Sequence, residues 1–198
     1  MMKPALLLAS AALALAVVSR AEPVPPVAAP AWKLKDVDGN LVSSSQFKGK
    51  VVVVDFWATW CGPCRSEIPG YVRLQKKYGA DGLVFVGVSV DEDGPEVVRK
   101  FMKEQGINYT IVMADDKVVD AFAPIEAYPT TFIIDRKGMI RDRKVGSRPT
   151  ADYEKEILAV LRAPGSCPGR GAGDNPLTPA PLLVWSGLRP VNRCPISC

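Results

Sequence analysis

The chain has 198 residues, 47% of them hydrophobic and 23% charged, with a net charge of +4. That describes one domain with tails, and without a long Lys/Arg run it argues against a nucleic-acid surface. No histidine occurs, which removes Ser-His and Cys-His nucleophile pairs and histidine-containing zinc or copper sites. The five cysteines are an odd number, so they cannot all pair within the chain.

Lys3, the uncharged apolar stretch Ala5 to Val18 and the small residues of Ser19-Arg20-Ala21 read as a secretory signal peptide over residues 1–21. The apolar run is shorter than the roughly 20 residues that span a bilayer comfortably. A retained anchor is therefore the secondary reading, and membrane contact is expected only with it. No small-residue-Cys site follows the run, which argues against a lipidated anchor. The mature chain is expected in the periplasm or another extracytoplasmic space, where disulfides persist.

Residues 22–31, with Pro23, Pro25, Pro26 and Pro30, read as an extended linker. The domain is expected over residues 32–162. Trp32-Lys-Leu-Lys35 and Leu41-Val42 flank Asp38-Gly39-Asn40, a hairpin signal. Ser43 to Phe47 reads as a capped helical turn. Val51 to Ala58 is the near-continuous apolar run of a strand buried on both faces.

A helix follows to about Tyr78, with Gly79 as its stop and Pro69 kinking its interior. Leu83 to Val90 predicts a second buried strand, ending at Asp91-Glu92-Asp93-Gly94, a solvated turn without calcium-loop spacing. Pro95 to Gln105 reads as a helix with Val97, Val98, Phe101 and Met102 as its apolar face. Asp116 to Phe122 predicts a short helix. Thr130 to Ile134 and Met139 to Val145 predict strands around the turn Asp135–Gly138, and Asp152 to Leu161 a closing helix. The fold class is α/β, a mixed sheet with helices on both faces. Residues 163–198, rich in Pro and Gly and carrying Cys167, Cys194 and Cys198, read as a disordered tail without an assigned role.

Cys61 and Cys64, separated by Gly62 and Pro63, admit three readings: half a zinc site, a structural disulfide or a redox pair. Zinc needs a second ligand pair, and only the tail cysteines could supply it. A structural disulfide this short stabilises little by chain entropy. The redox reading explains the surroundings as well. A buried strand delivers Trp60 and Cys61 to a helix N-terminus, where free N–H groups and the macrodipole favour a thiolate. Pro63 suits the first helical turn, and Cys64 one turn on is placed to resolve a mixed disulfide on Cys61. No metal or other cofactor is called for.

The segment Asp55-Phe-Trp-Ala-Thr-Trp-Cys-Gly-Pro-Cys-Arg65 resembles the thioredoxin active-site segment. With Lys48-Gly49-Lys50 before it and Glu67-Ile68-Pro69 after it, the frame resembles the TlpA/ResA branch of the thioredoxin superfamily, secreted or membrane-tethered thiol–disulfide oxidoreductases. The resemblance implies a thioredoxin-like fold with an N-terminal β-hairpin extension. It implies catalytic roles for Cys61 and Cys64, the redox disulfide, and for Asp55 as the buried carboxylate that moves the proton of the second cysteine. It implies a cis-proline at Pro129, within Tyr128-Pro129-Thr130, facing the dithiol and contacting the substrate chain together with Trp60, Gly62 and Pro63. The lysine neighbouring the carboxylate in cytosolic thioredoxins is absent, Gly87 falling in its place, so desolvation is expected to raise the Asp55 pKa more strongly. The Gly62-Pro63 dipeptide implies a reducing couple of roughly −200 to −270 mV.

The function expected is therefore reduction of protein disulfides outside the cytosol, with a membrane thiol reductant restoring the dithiol. Apocytochrome c is a frequent client in that family. A disulfide oxidase or isomerase is the alternative, to be told apart by potential. A peroxidase lacks its Pro-x-x-x-Thr-x-x-Cys segment here, and a non-enzymatic copper-binding dithiol protein is disfavoured by the lack of His and of a Met-rich surface.

Overall fold

A computed structural model describes residues 27–163. The chain divides into two units, residues 1–166 and 167–198, and every described residue lies in the first. The expected signal peptide, most of the expected linker, and the tail with its three cysteines lie outside the described residues.

Two short strands, β1 (Lys33–Lys35) and β2 (Leu41–Ser43), pair antiparallel. Asp36 closes their turn by accepting from the Asp38 and Asn40 backbone. A 3-10 helix, Ser44–Phe47, follows with Ser43 as its cap. β3 (Val51–Trp57) is buried at every residue. Then come α1 (Gly62–Tyr78), β4 (Leu83–Ser89), α2 (Pro95–Gln105), β5 (Thr110–Met113), α3 (Asp116–Ala121), β6 (Thr130–Ile134), β7 (Ile140–Val145) and α4 (Thr150–Leu161).

The main sheet runs in the order β5-β4-β3-β6-β7, with β3, β4 and β5 parallel and β6 and β7 antiparallel. This is the thioredoxin-like α/β fold with an N-terminal hairpin. Successive side chains of β3 alternate between sheet faces. Val52, Val54 and Phe56 join Trp32, Leu34, Val42, Val118 and Phe122, beneath the hairpin and α3. Val51 and Val53 join Tyr71, Leu74, Tyr153 and Ile157 on the other face, and Trp57 joins Cys61, Cys64, Ile68, Val98 and Phe101. Helices α1, α2 and α4 thus share one face, as right-handed crossovers between parallel strands require of α1 and α2. Gly70 sets how closely α1 and α4 meet: a Cβ there would stand 2.2 Å from Thr150 Oγ1.

Two expectations need correction, and one strand was not foreseen. The linker does not reach residue 31 as free chain: Ala28 bridges Met139, and Ala29 N–H donates to Gly138 C=O at 2.8 Å. Val97 is exposed, because α2 buries only Val98 and Phe101. The edge strand β5 had no counterpart in the sequence reading.

Candidate active site

The site stands where β3 ends and α1 begins. Thr59-Trp60 turn the chain out of the sheet, and Cys61 becomes the N-cap of α1, its Sγ accepting from Cys64 N–H at 3.2 Å. Pro63 lies in the first turn and costs the helix no hydrogen bond. Cys61 and Cys64 are joined as a disulfide with Sγ–Sγ 2.02 Å, and both are buried. Their packing partners are Trp57, Ala58, Ile68, Val98 and Phe101. The free N–H groups of a helix start surround Cys61, which favours a thiolate over a thiol once the pair is reduced. Arg65, an exposed residue, lies with its guanidinium 5.5 Å from the centre of the Phe101 ring.

The contact surface beside the dithiol is aromatic. Trp60 is 64% exposed, and its ring meets Tyr128 edge-on at 6.1 Å. Trp57, in contrast, is buried. Tyr128–Pro129 is a cis peptide, as the resemblance implies, and Ala123–Pro124 is a second one, which nothing in the sequence marked. Thr130 is buried, and its hydroxyl donates to the Ala127 carbonyl at 2.6 Å, tying down the loop that carries Pro129.

Asp55 sits on the α1 face of β3, between Gly87 of β4 and Thr131 of β6. Burial, and secondarily the charge of Glu67, push its pKa up to about 8, against the hydrogen bond it accepts from Thr131 Oγ1 at 3.0 Å. Gly87 leaves no room for the lysine of cytosolic thioredoxins: a Cβ would stand 2.5 Å from Ile111 Cδ1 and 2.7 Å from Trp57 Nε1. No cation of β4 therefore offsets the desolvation of Asp55.

Two further carboxylates belong to the site. Glu67 is buried, accepting from the Tyr71 hydroxyl at 3.0 Å and from Arg148 N–H at 2.7 Å. Burial raises its pKa, and these hydrogen bonds oppose the shift. The sequence signal was available: Glu67 is three residues after Cys64 and four before Tyr71, on the stripe of α1 that faces the sheet. Asp91 corrects the expectation of a solvated acidic turn. It is buried, and accepts from Thr59 N–H at 3.0 Å, from the Thr59 hydroxyl and from Ser89 Oγ at 2.7 Å. It thereby anchors the turn that presents Trp60 and Cys61. Its partner Thr59 is 32 residues away, which no local pattern discloses. Among the described residues no group of three or more His, Cys, Asp or Glu side chains is arranged to hold a metal ion.

A family profile described as Redoxin matches residues 25–161. The chain is 39% identical over 131 residues to the thioredoxin-like protein YneN of Bacillus subtilis, spanning 65% of this chain and 76% of that protein. It is 37% identical over 113 residues to the thiol-disulfide oxidoreductase ResA of the same organism, spanning 57% of this chain and 62% of ResA. A crystal structure of a thioredoxin-family thiol:disulfide interchange protein from Chlorobium tepidum superposes with a TM-score of 0.66 at 39% identity, covering 71% of this chain and 99% of that one.

Proposed function

The chain belongs to the Redoxin family, in the ResA-like branch of the thioredoxin superfamily, and is a protein-disulfide oxidoreductase; on that premise we propose that it works outside the cytosol and in the reducing direction. The observation that carries the reading is the Cys61–Cys64 disulfide at the N-terminus of α1, with the buried carboxylate of Asp55 on the strand that feeds it and the exposed Trp60 ring against Tyr128 beside it.

In this mechanism the Cys61 thiolate attacks a substrate disulfide, forming a mixed disulfide and releasing one substrate thiolate. Asp55 in its ionised form, which the raised pKa makes the minor form below about pH 8, takes the proton of Cys64, whose sulfur then attacks Cys61. The Cys61–Cys64 bond forms and the second substrate thiol leaves. Trp60, Gly62, Pro63 and Tyr128 make the surface on which the substrate chain lies, and the buried Pro129 and Thr130, expected there from the resemblance, hold the loop beneath it. Two electrons pass from the dithiol to the substrate, and a membrane thiol donor returns them. The N-terminal segment 1–21 as a signal peptide supports the compartment, and Gly62-Pro63 supports the direction. Among the described residues no helix is long and apolar enough to cross a membrane.

Apocytochrome c, with its pair of haem-attaching cysteines, is the client proposed. Expressing Cys64→Ser in the native host and identifying proteins disulfide-linked to Cys61 tests this. A cytochrome precursor among the adducts is expected, and a set of adducts without one contradicts the assignment.

A further inference from the structure

The Lys48-Gly49-Lys50 turn takes no part in the dithiol chemistry, because it precedes β3 and Cys61 follows that strand's other end. At this turn a cleft of about 490 Å³ opens between residues 29–31, the 3-10 helix Ser44–Phe47 and the turn that joins β6 to β7. Trp32, Val52, Val54 and Ile134 form its apolar floor, with Phe47 beside Trp32 at a ring distance of 6.1 Å. All four floor residues are buried. β3 is seven residues long, so about 20 Å separate the cleft from the dithiol.

The lining above this floor is cationic. Gly49, at φ 78°, makes the turn between Lys48 and Lys50, and Lys137 comes from the turn between β6 and β7. All three lysines are exposed, and none stands in an ion pair among the described residues. Arg136 also lines the cleft. Its guanidinium donates to the Gly49 carbonyl at 3.1 Å and to the Asp81 carbonyl at 2.9 Å, while its Nε is buried with no partner among the described residues. Asp135 is the one carboxylate among the described lining residues, and it is already engaged: it accepts from Lys137 N–H, Met139 N–H and Arg141. The positive charge of the three lysines is therefore left without a counter-charge.

We propose that this cleft binds a single-chain amphipathic anion, a fatty carboxylate whose hydrocarbon tail lies on the Trp32–Val52–Ile134 floor and whose head group meets Lys48, Lys50 and Lys137. Its volume falls in the range of small-ligand sites, roughly 300–1,000 Å³, which are mostly apolar with a few polar groups to fix orientation. Water on such a floor finds few hydrogen-bond partners, so hydrocarbon displaces it favourably. A carboxylate gains from the lysines as well as from the floor, which a neutral ligand does not. A bilayer surface fits less well, because the apolar residues are recessed: a chain must enter the protein, and no apolar side chain of the floor can enter a membrane. The described N-terminal residues wall the cleft and do not occupy it. Ile140 N–H donates to the Val27 carbonyl and Ala29 N–H to the Gly138 carbonyl, which pins that segment to the start of β7. The proposal is independent of the direction and compartment assigned to the dithiol.

The test is calorimetric titration of the protein with dodecanoate below its micellar concentration, with dodecanol and dodecyltrimethylammonium as uncharged and cationic probes. Dodecanoate is expected to bind one to one, and the other two about tenfold more weakly or worse. The triple variant Lys48→Gln, Lys50→Gln, Lys137→Gln is expected to weaken dodecanoate about tenfold and leave dodecanol unchanged. Ala31 is exposed and lines the cleft, so Ala31→Trp is expected to plug it and abolish binding of both. Insulin disulfide reduction by every variant is expected at the wild-type rate, which confirms folding and reads the dithiol separately. No binding of dodecanoate, equal binding of dodecanol, or binding that survives Ala31→Trp overturns the proposal. Cosedimentation with phosphatidylglycerol vesicles that survives Ala31→Trp but not the triple lysine variant assigns the lysines to a bilayer surface and overturns it too.

Discussion

Asp55 and Thr131 are direct cross-strand partners in the β3–β6 pair, and the Thr131 hydroxyl donates to the Asp55 carboxylate at 3.0 Å. That single hydrogen bond is what the protein offers Asp55 against complete burial and the nearby charge of Glu67. The carboxyl consequently holds its proton up to about pH 8, whereas an unburied aspartate releases it near 3.8.

This difference appears as a pH dependence of stability. Between pH 4 and 8 the unfolded chain has lost the Asp55 proton and the folded chain retains it, so stability falls as pH rises and levels off above about pH 8. Asp55→Asn removes that slope. Urea unfolding of the oxidised protein, in which Cys61 and Cys64 do not titrate, is expected to show the variant more stable at pH 9, by an amount bounded at about 6 kcal/mol, and close to wild type at pH 4. Parallel pH profiles for the two proteins would contradict the assignment.

Gly87 is fixed by close approach. Because an added Cβ meets Trp57 Nε1 and Ile111 Cδ1 well inside contact distance, Gly87→Ala is expected to cost about 1–3 kcal/mol through displacement of the Trp57 ring. Thermal unfolding reads the loss, and Trp57 fluorescence the displacement. A variant as stable as wild type would show that the ring yields freely.

Asp91→Ala leaves the Thr59 N–H, the Thr59 hydroxyl and the Ser89 hydroxyl without their acceptor. The expected loss is roughly 2–3 kcal/mol, together with slower disulfide reduction as the Cys61 turn loosens. Asp91→Asn, which keeps an acceptor oxygen, is expected to recover part of both. Unfolding curves and insulin turnover measured on the two variants check this.

Trp60 is exposed and makes one ring contact, with Tyr128. Trp60→Ala is therefore expected to change stability by less than about 0.5 kcal/mol and to raise KM for a protein disulfide about fivefold, the loss of one aromatic anchor. A KM left at the wild-type value places the substrate surface elsewhere.

Most of the fold was legible in the sequence because its central strands β3 and β4 are seven-residue apolar runs and its helices are punctuated by Pro and Gly. β5 was missed because Thr110–Met113 is only four residues at the sheet edge, too short to set a period. Val97 was misassigned because α2 is held to the core by Val98 and Phe101 alone. At the site, Cys61, Cys64, Asp55 and Pro129 were legible through the spacing of one motif and its resemblance. Asp91 was not, since an acidic run reads the same whether one of its members turns inward or none does. Thr131 was equally hidden: its significance lies in its contact with Asp55 between β6 and β3.

The most direct test of the central claim is insulin disulfide reduction, driven by dithiothreitol, for wild type, Cys61→Ser and Cys64→Ser, with mass spectrometry of the adducts. Both variants are expected to lose turnover, and Cys64→Ser to accumulate insulin chains linked through Cys61. Wild-type turnover by either variant, or an adduct formed at Cys64 with Cys61 free, would contradict the account.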